Sequence, residues 1–159
     1  MKARWLGCVA LIGSLQPLLA QDWPDYKPVS FSQAWATATV APPVGSVPSQ
    51  SFEGAPQDHK FLVRATYTGR SRRIGPKRLE FIANWGKFSG AQDFAQHFRD
   101  EIEVRAEGMT VWLALQDLLV EPFGREAKVG VPVQLWIMYL GAAVQQDRVF
   151  VVNQFRVVK

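Results

Sequence analysis

Cysteine is almost absent from this sequence: Cys8 is the only one, and it lies inside an apolar stretch at the N-terminus. A disulfide framework or a thiolate metal site is therefore excluded downstream of it. Histidine is nearly as scarce, with only His59 and His97. No HExxH, HxH or cysteine pair is present, whereas a zinc site normally takes three or four protein ligands at recognisable spacing. The chain also has no GxSxG elbow and no GxGxxG or similar phosphate-cradling loop. Paired acids such as Asp100 with Glu101, or Asp117 with Glu121, read first as polar faces, because sequence alone does not set two carboxylates across a cleft. The expectation is a protein without metal or cofactor and without enzymatic activity.

Acidic residues are missing from the first twenty positions, which hold Lys2 and Arg4. Leu6 to Leu15 is an apolar core, Gln16-Pro17 breaks it, and Ala20 precedes Gln21 as a small residue at a cleavage point. This plan predicts a secretory signal peptide over residues 1–20. Leu6 to Ala20 falls short of the roughly 20 apolar residues that a spanning helix needs. Cys8 lies near the start of the apolar core rather than after it, so it reads as apolar filler and not as a lipidation site. The mature chain is then expected in the periplasm or outside the cell, with no stable membrane span.

The remainder is globular in composition. The whole chain has 48% hydrophobic and 20% charged residues, and the part after residue 20 holds five of the six tryptophans and all ten phenylalanines, enough large apolar groups for one core. Lys2 and Arg4 take two of the eighteen basic residues, leaving sixteen against fourteen acids, so the mature net charge is near +2 rather than +4. Such a balance is weak support for a nucleic-acid partner.

Six of the ten prolines fall between residues 21 and 57. This segment reads as a linker or docking arm, since proline cannot donate to a ladder. Trp23, Tyr26, Phe31 and Trp35 within it are expected to dock on the domain or on a partner, and Ser32 to Thr39 reads as a short helix. A β domain is expected over residues 58–159. Strands are predicted at 61–68 and 78–85 from their period of two. A short amphipathic helix is predicted at Gly90 to Arg99 behind Ser89 as N-cap. Further strands follow at 101–106, at 110–115 (extending toward Val120), at 131–140 and at 148–158, with a loop at 122–130. The last two strands form a hairpin. Mostly short connections predict a small antiparallel barrel or sandwich, an OB-like barrel first. The expected helix follows the second strand, whereas an OB barrel places its helix after the third.

The strongest local feature is basic: Arg70, Arg72, Arg73, Lys77 and Arg78, with Tyr67, Phe81 and Trp85 close in sequence. Guanidinium groups beside stacking rings suit an acidic glycan or another polyanion. The candidate ligand-binding set is therefore Arg70, Arg72, Arg73, Lys77, Arg78, Tyr67 and Trp85. The competing reading is a solvated run that pairs with Glu101, Glu103 and Glu107. Asp93 and His97 are four apart and would share one helix face. Trp112, Trp136 and Tyr139 read as core, unless Trp136 forms an exposed patch. Asn153 and Gln154 interrupt the last strand and mark a polar spot. The leading function is an exported binding or structural module that meets another envelope protein. The alternative is a polyanion or glycan binder acting through residues 70–78.

Overall fold

The computed structural model describes residues 25–40, 60–142 and 147–158. The expected signal peptide and most of the proline-rich segment lie outside the described residues. β1 (Lys27–Pro28) and α1 (Phe31–Val40) come first, then β2 (Lys60–Arg73) and α2 (Pro76–Phe88). A 3-10 turn at Phe94–His97 leads into β3 (Phe98–Ala106), β4 (Met109–Gln116) and α3 (Asp117–Glu126). β5 (Pro132–Ala142) and β6 (Arg148–Val157) complete the chain.

Five of the strands close on themselves in the order β2-β3-β4-β6-β5, with β5 returning to β2. Closure rests on β2, which is long enough to serve two neighbours. Lys60 to Thr66 pairs with Met138 to Pro132 of β5, and Thr66 to Arg73 pairs with Arg105 to Asp100 of β3. Every contact in the barrel is antiparallel except β4 with β6. α3 lies between the third and fourth barrel strands, so both strand order and helix position are those of an OB-like barrel. The expectation that no helix occupies this place is overturned. Leu119, Phe123 and Ala127 repeat every four residues, all are buried in the main core, and this stripe holds the segment helical even with Pro122 inside it. The strand expected to run toward Val120 and the loop expected at 122–130 are corrected accordingly.

The largest correction concerns residues 78–85, expected as a strand. They form α2, with Pro76 in its first turn, where a missing N–H costs nothing and φ is already set. Period two had put Ile82 on the polar side, yet Ile82 is fully buried and Gly86 lies on the same side of the helix. The helix expected at 90–99 is only a 3-10 turn, and β3 already begins at Phe98.

Two apolar layers result. The interior holds alternate residues of the five strands, among them Val63, Val104, Leu113, Leu135 and Val152. A second cluster lies outside the barrel, where Ile82 of α2 covers Ala114, Leu140, Val149 and Val151. The cover explains why β5 is apolar on both faces: Leu135, Ile137 and Tyr139 belong to the interior, while Met138 and Leu140 belong to the layer under α2. Trp136 is also buried, at 6% exposure. The amide-bearing pair in β6 coincides with a register shift: Trp136 faces Gln154, Ile137 faces Val152, and Asn153 is the extra residue. Its amide is satisfied, donating to Tyr26 Oη and accepting from Gln116 Nε2, both at 2.7 Å. Burial raises the pKa of Tyr26 and the Asn153 bond offsets part of that rise.

α1 fills one end of the barrel, with Phe31, Ala34 and Ala38 inside the main core. Its four orphan N-terminal donors are all met. Ser30 and Gln33 form a reciprocal capping box: Gln33 N–H donates to Ser30 Oγ, and Ser30 N–H donates to Gln33 Oε1. Phe31 and Ser32 donate to the two carboxylate oxygens of Glu107 at 2.9 and 3.0 Å. Glu107 sits in the two-residue β3–β4 turn with φ +51, followed by Gly108 with φ +81, the left-handed pair that a tight hairpin requires.

Gly69 lies in the bulge of β2, three residues beyond Thr66, where the strand changes neighbours. Its φ is +89, and a Cβ there would lie 2.6 Å from Val129 Cγ2. Gly69→Ala is expected to cost about 1–3 kcal/mol through the disfavoured backbone alone, read as a lower urea midpoint with an unchanged slope. The serine and backbone donors hold the Glu107 pKa below its ordinary value. The stabilisation is then fully present above the ordinary glutamate range and is lost as pH falls through the depressed folded pKa. Wild type should therefore exceed Glu107→Gln in stability at neutral pH, and the gap should close in acid. A gap that stays constant down to low pH would assign the cap to something other than the carboxylate.

Candidate functional site

The basic segment runs along the second half of β2 and into α2, over the outer face of β3. On β3, residues 101 and 103 point away from the interior, since Ile102 and Val104 fill it. Both are glutamates and both are buried. A carboxylate without water needs charged or hydrogen-bonding partners, and the arginines supply them. Arg72 Nε donates to Glu101 Oε1 at 2.6 Å, and Arg78 Nη1 donates to Glu101 Oε2. Arg78 also forks onto Asp147, with Nη2 at 2.6 Å from Oδ1. Arg70 Nη1 and Thr68 Oγ1 donate to Glu103, each at 2.9 Å. Arg73 pairs with Asp100 at 3.4 Å.

The local backbone makes this convergence possible. Tyr67 faces Val104 and Ser71 faces Ile102, so Thr68, Gly69 and Arg70 together oppose the single residue Glu103. This bulge brings both Thr68 and Arg70 onto one carboxylate. Burial works against the charge on Arg78, but the Asp147 hydrogen bond and the field of Glu101 outweigh it, and its pKa is raised. Trp112 of β4 stands beside the pairs: its cross-strand neighbour is Glu103, and Arg72 and Arg70 lie over its ring at 4.0 and 5.5 Å.

Of the sequence-derived set, Arg70, Arg72, Arg73 and Arg78 come together in this network. Lys77 is exposed on α2 and has no carboxylate partner among the described residues. Tyr67 and Trp85 do not join them. Tyr67 packs edge-on against Phe123 at 5.1 Å, next to the main core. Trp85 packs against Phe94 at 4.9 Å under α2. The ring that meets the arginines is Trp112, which sequence proximity did not suggest and which the β3–β4 register supplies. The pairing expected with Glu101 and Glu103 is present, whereas Glu107 caps α1 instead.

Asp93 and His97 border a shallow concavity of about 450 Å3 with Gly90, Ala91, Gln92 and Phe94. They do not pair. A 3-10 turn has about three residues per turn, and Asp93 Oδ1 accepts from Gln96 at 3.0 Å. Among the described residues, no three histidines, cysteines or carboxylates are grouped to hold a metal ion, and no helix is long and apolar enough to cross a membrane.

A second basic surface escaped the sequence reading. Arg64 of β2 pairs across the sheet with Gln134 of β5, and Gln134 pairs with Arg156 of β6. Two residues further along β2, Thr66 pairs with Arg105 of β3. All three arginines are exposed. Arg156 Nε donates to Gln134 Oε1 at 3.2 Å and its guanidinium lies 5.7 Å from the Trp136 ring. No carboxylate among the described residues pairs with Arg64, Arg105 or Arg156. Compared with known proteins, the chain matches no family model and no curated protein.

The two kinds of arginine should behave differently on removal. Arg78→Ala strips a partner from Glu101, whose side chain is 1% exposed, and is expected to cost about 3 kcal/mol. Arg70 is 69% exposed and Glu103 keeps Thr68 Oγ1 as a second donor, so Arg70→Ala should cost clearly less than Arg78→Ala. Urea unfolding of the two variants beside wild type checks the order.

Proposed function

We propose that this chain is an exported, non-enzymatic binding module of the cell envelope that acts through protein–protein contact on the outer wall of its barrel. The observation that carries this reading is the filled interior. Phe31, Leu113, Leu135, Ile137, Phe150 and Val152 occupy the barrel with almost no exposure, and α1 closes one end. What a partner meets is the outer surface of the sheet. An outer wall bearing exposed arginines with the half-buried Trp112 suits a protein interface, where arginine and aromatic residues are enriched. The three-part plan of residues 1–20 supports export.

One observation favours a second reading, a polyanion or glycan binder through residues 70–78. The Arg72 guanidinium lies 4.0 Å from the Trp112 ring centre and its side chain is 54% exposed, an arrangement open to a stacked sugar or base. Against it, Asp100, Glu101, Glu103 and Asp147 already meet the four arginines of that segment.

Photo-crosslinking residues placed singly at Thr66 on the barrel wall, Glu80 on α2 and Leu118 on α3 test the first reading in the cells that make the protein. A discrete protein adduct from at least one face is expected, together with a mature chain that begins at Gln21 outside the cytoplasm. No adduct from any face would sink the protein-partner reading. An uncleaved chain in the cytoplasm would sink the export reading.

A further inference from the structure

Most of the described arginines fall into two classes by place; Arg148, which lies over the Trp35 ring at 4.2 Å, belongs to neither. Arg70, Arg72, Arg73, Arg78, Arg99 and Arg125 each have a carboxylate within 4 Å. Arg64, Arg105 and Arg156, on the wall formed by β3, β2, β5 and β6, have none among the described residues. No two of these arginines are directly opposite one another, so their mutual repulsion is modest, but none is offset by a carboxylate among the described residues. A partner carrying anions on matching spacing would supply that countercharge.

The spacing follows from the register. Arg64 and Arg156 flank Gln134 on one rung, two inter-strand gaps or about 10 Å apart at the backbone. Arg64 and Arg105 are diagonal neighbours, since Thr66 faces Arg105, which sets them about 7–8 Å apart. In an extended peptide, side chains two residues apart lie on one side with a spacing of about 7 Å. Carboxylates at alternate positions of an extended segment therefore match the Arg64–Arg105 spacing, and the long side chain of Arg156 spans the few further ångströms on the other side. Each guanidinium presents a fork that a carboxylate fits in bidentate fashion.

We infer that the wall of Arg64, Arg105 and Arg156, with Gln134 and Thr66 between them, is the docking face for an extended, acidic segment of the partner protein, with glutamate or aspartate at alternate positions. This inference rests on the protein-partner reading above. Three isolated arginines, rather than a dense basic run, favour a patterned peptide over a uniformly charged polymer. The partner is recognised by where its carboxylates fall. The arginines of residues 70–78, already paired, serve the fold.

The test uses the chain from Gln21 onward and three probes: a synthetic peptide with glutamate at every second position, a peptide of equal composition with its glutamates contiguous, and a sulfated glycan. Titrations are read by tryptophan fluorescence and by calorimetry. The alternating peptide is expected to bind tighter than the contiguous one. Replacing Arg64, Arg105 and Arg156 with glutamine should weaken it about tenfold or more, the sum of three exposed charge contacts. A control with Arg70→Gln and Arg73→Gln should bind within about twofold of wild type. Equal binding by the triple variant, or loss of binding in the control, would overturn the assignment of this face. Tighter binding of the sulfated glycan than of either peptide would overturn the partner class. In cells, adducts at Glu80 or Leu118 but not at Thr66 would reject this face while leaving a protein partner in place. No adduct anywhere would instead reject the underlying reading.

Discussion

The fold depends on a single strand keeping two partners. β2 gives its first half to β5 and its second half to β3, and the exchange happens at Thr66. Closure removes the open edges that a five-stranded sheet would expose. The transition demands a bend, which the Gly69 bulge supplies, and the α3–β5 connection crosses there, with Gly130 N–H donating to Tyr67 O at 2.9 Å. The same bulge turns Thr68 and Arg70 onto Glu103. Barrel closure and the charge network are thus one event in the chain, and altering the bend would disturb both.

The buried glutamates of β3 show why a basic run can be structural. Glu101 is met by Arg72 of β2 and Arg78 of α2, and Glu103 by Thr68 and Arg70 of β2, both at buried positions where a lone carboxylate is costly. Arginine is suited to meet them, because its fork satisfies several oxygens and its stem covers neighbouring apolar surface. Charge that looks available in sequence is consumed by the fold. The exposed wall of Arg64, Arg105 and Arg156 has no such partners among the described residues.

The N-terminal arm is tied in by a related compromise. A glutamate at the left-handed turn position of Glu107 is less comfortable than glycine or asparagine would be. Its carboxylate, however, reaches the N-terminus of α1 and meets the two donors that the Ser30–Gln33 box leaves open. The turn carries local strain, and α1 gains its place across the barrel end, where Phe31 stacks at 6.2 Å from Trp35 and 6.3 Å from Phe150.

What the sequence determined by itself was set by local pattern. Alternation placed β2 and β3, apolar runs bounded by turn signals placed β4, β5 and β6, a short helix at 32–39 fell within α1, and mostly short connections fitted a small barrel. Helix α2 escapes a local reading because Leu79, Phe81, Ala83 and Trp85 satisfy a period of two, while burial of Ile82 is decided by the outer layer of β4, β5 and β6 that the helix covers, and burial of Gly86 by the close approach of Ala91 and Phe94. α3 was missed because Pro122 argues locally against a helix, and only the open end of the barrel rewards the Leu119, Phe123 and Ala127 stripe. The basic run of residues 70–78 was visible, but its neutralisation by Glu101, Glu103, Asp100 and Asp147 was not. Cross-strand register and helix packing bring those acids in from distant positions. Register also assembled the arginine wall from three strands. Contacts between residues far apart in the chain carry no local signature, so tertiary structure alone decided which charges were spent and which were left exposed.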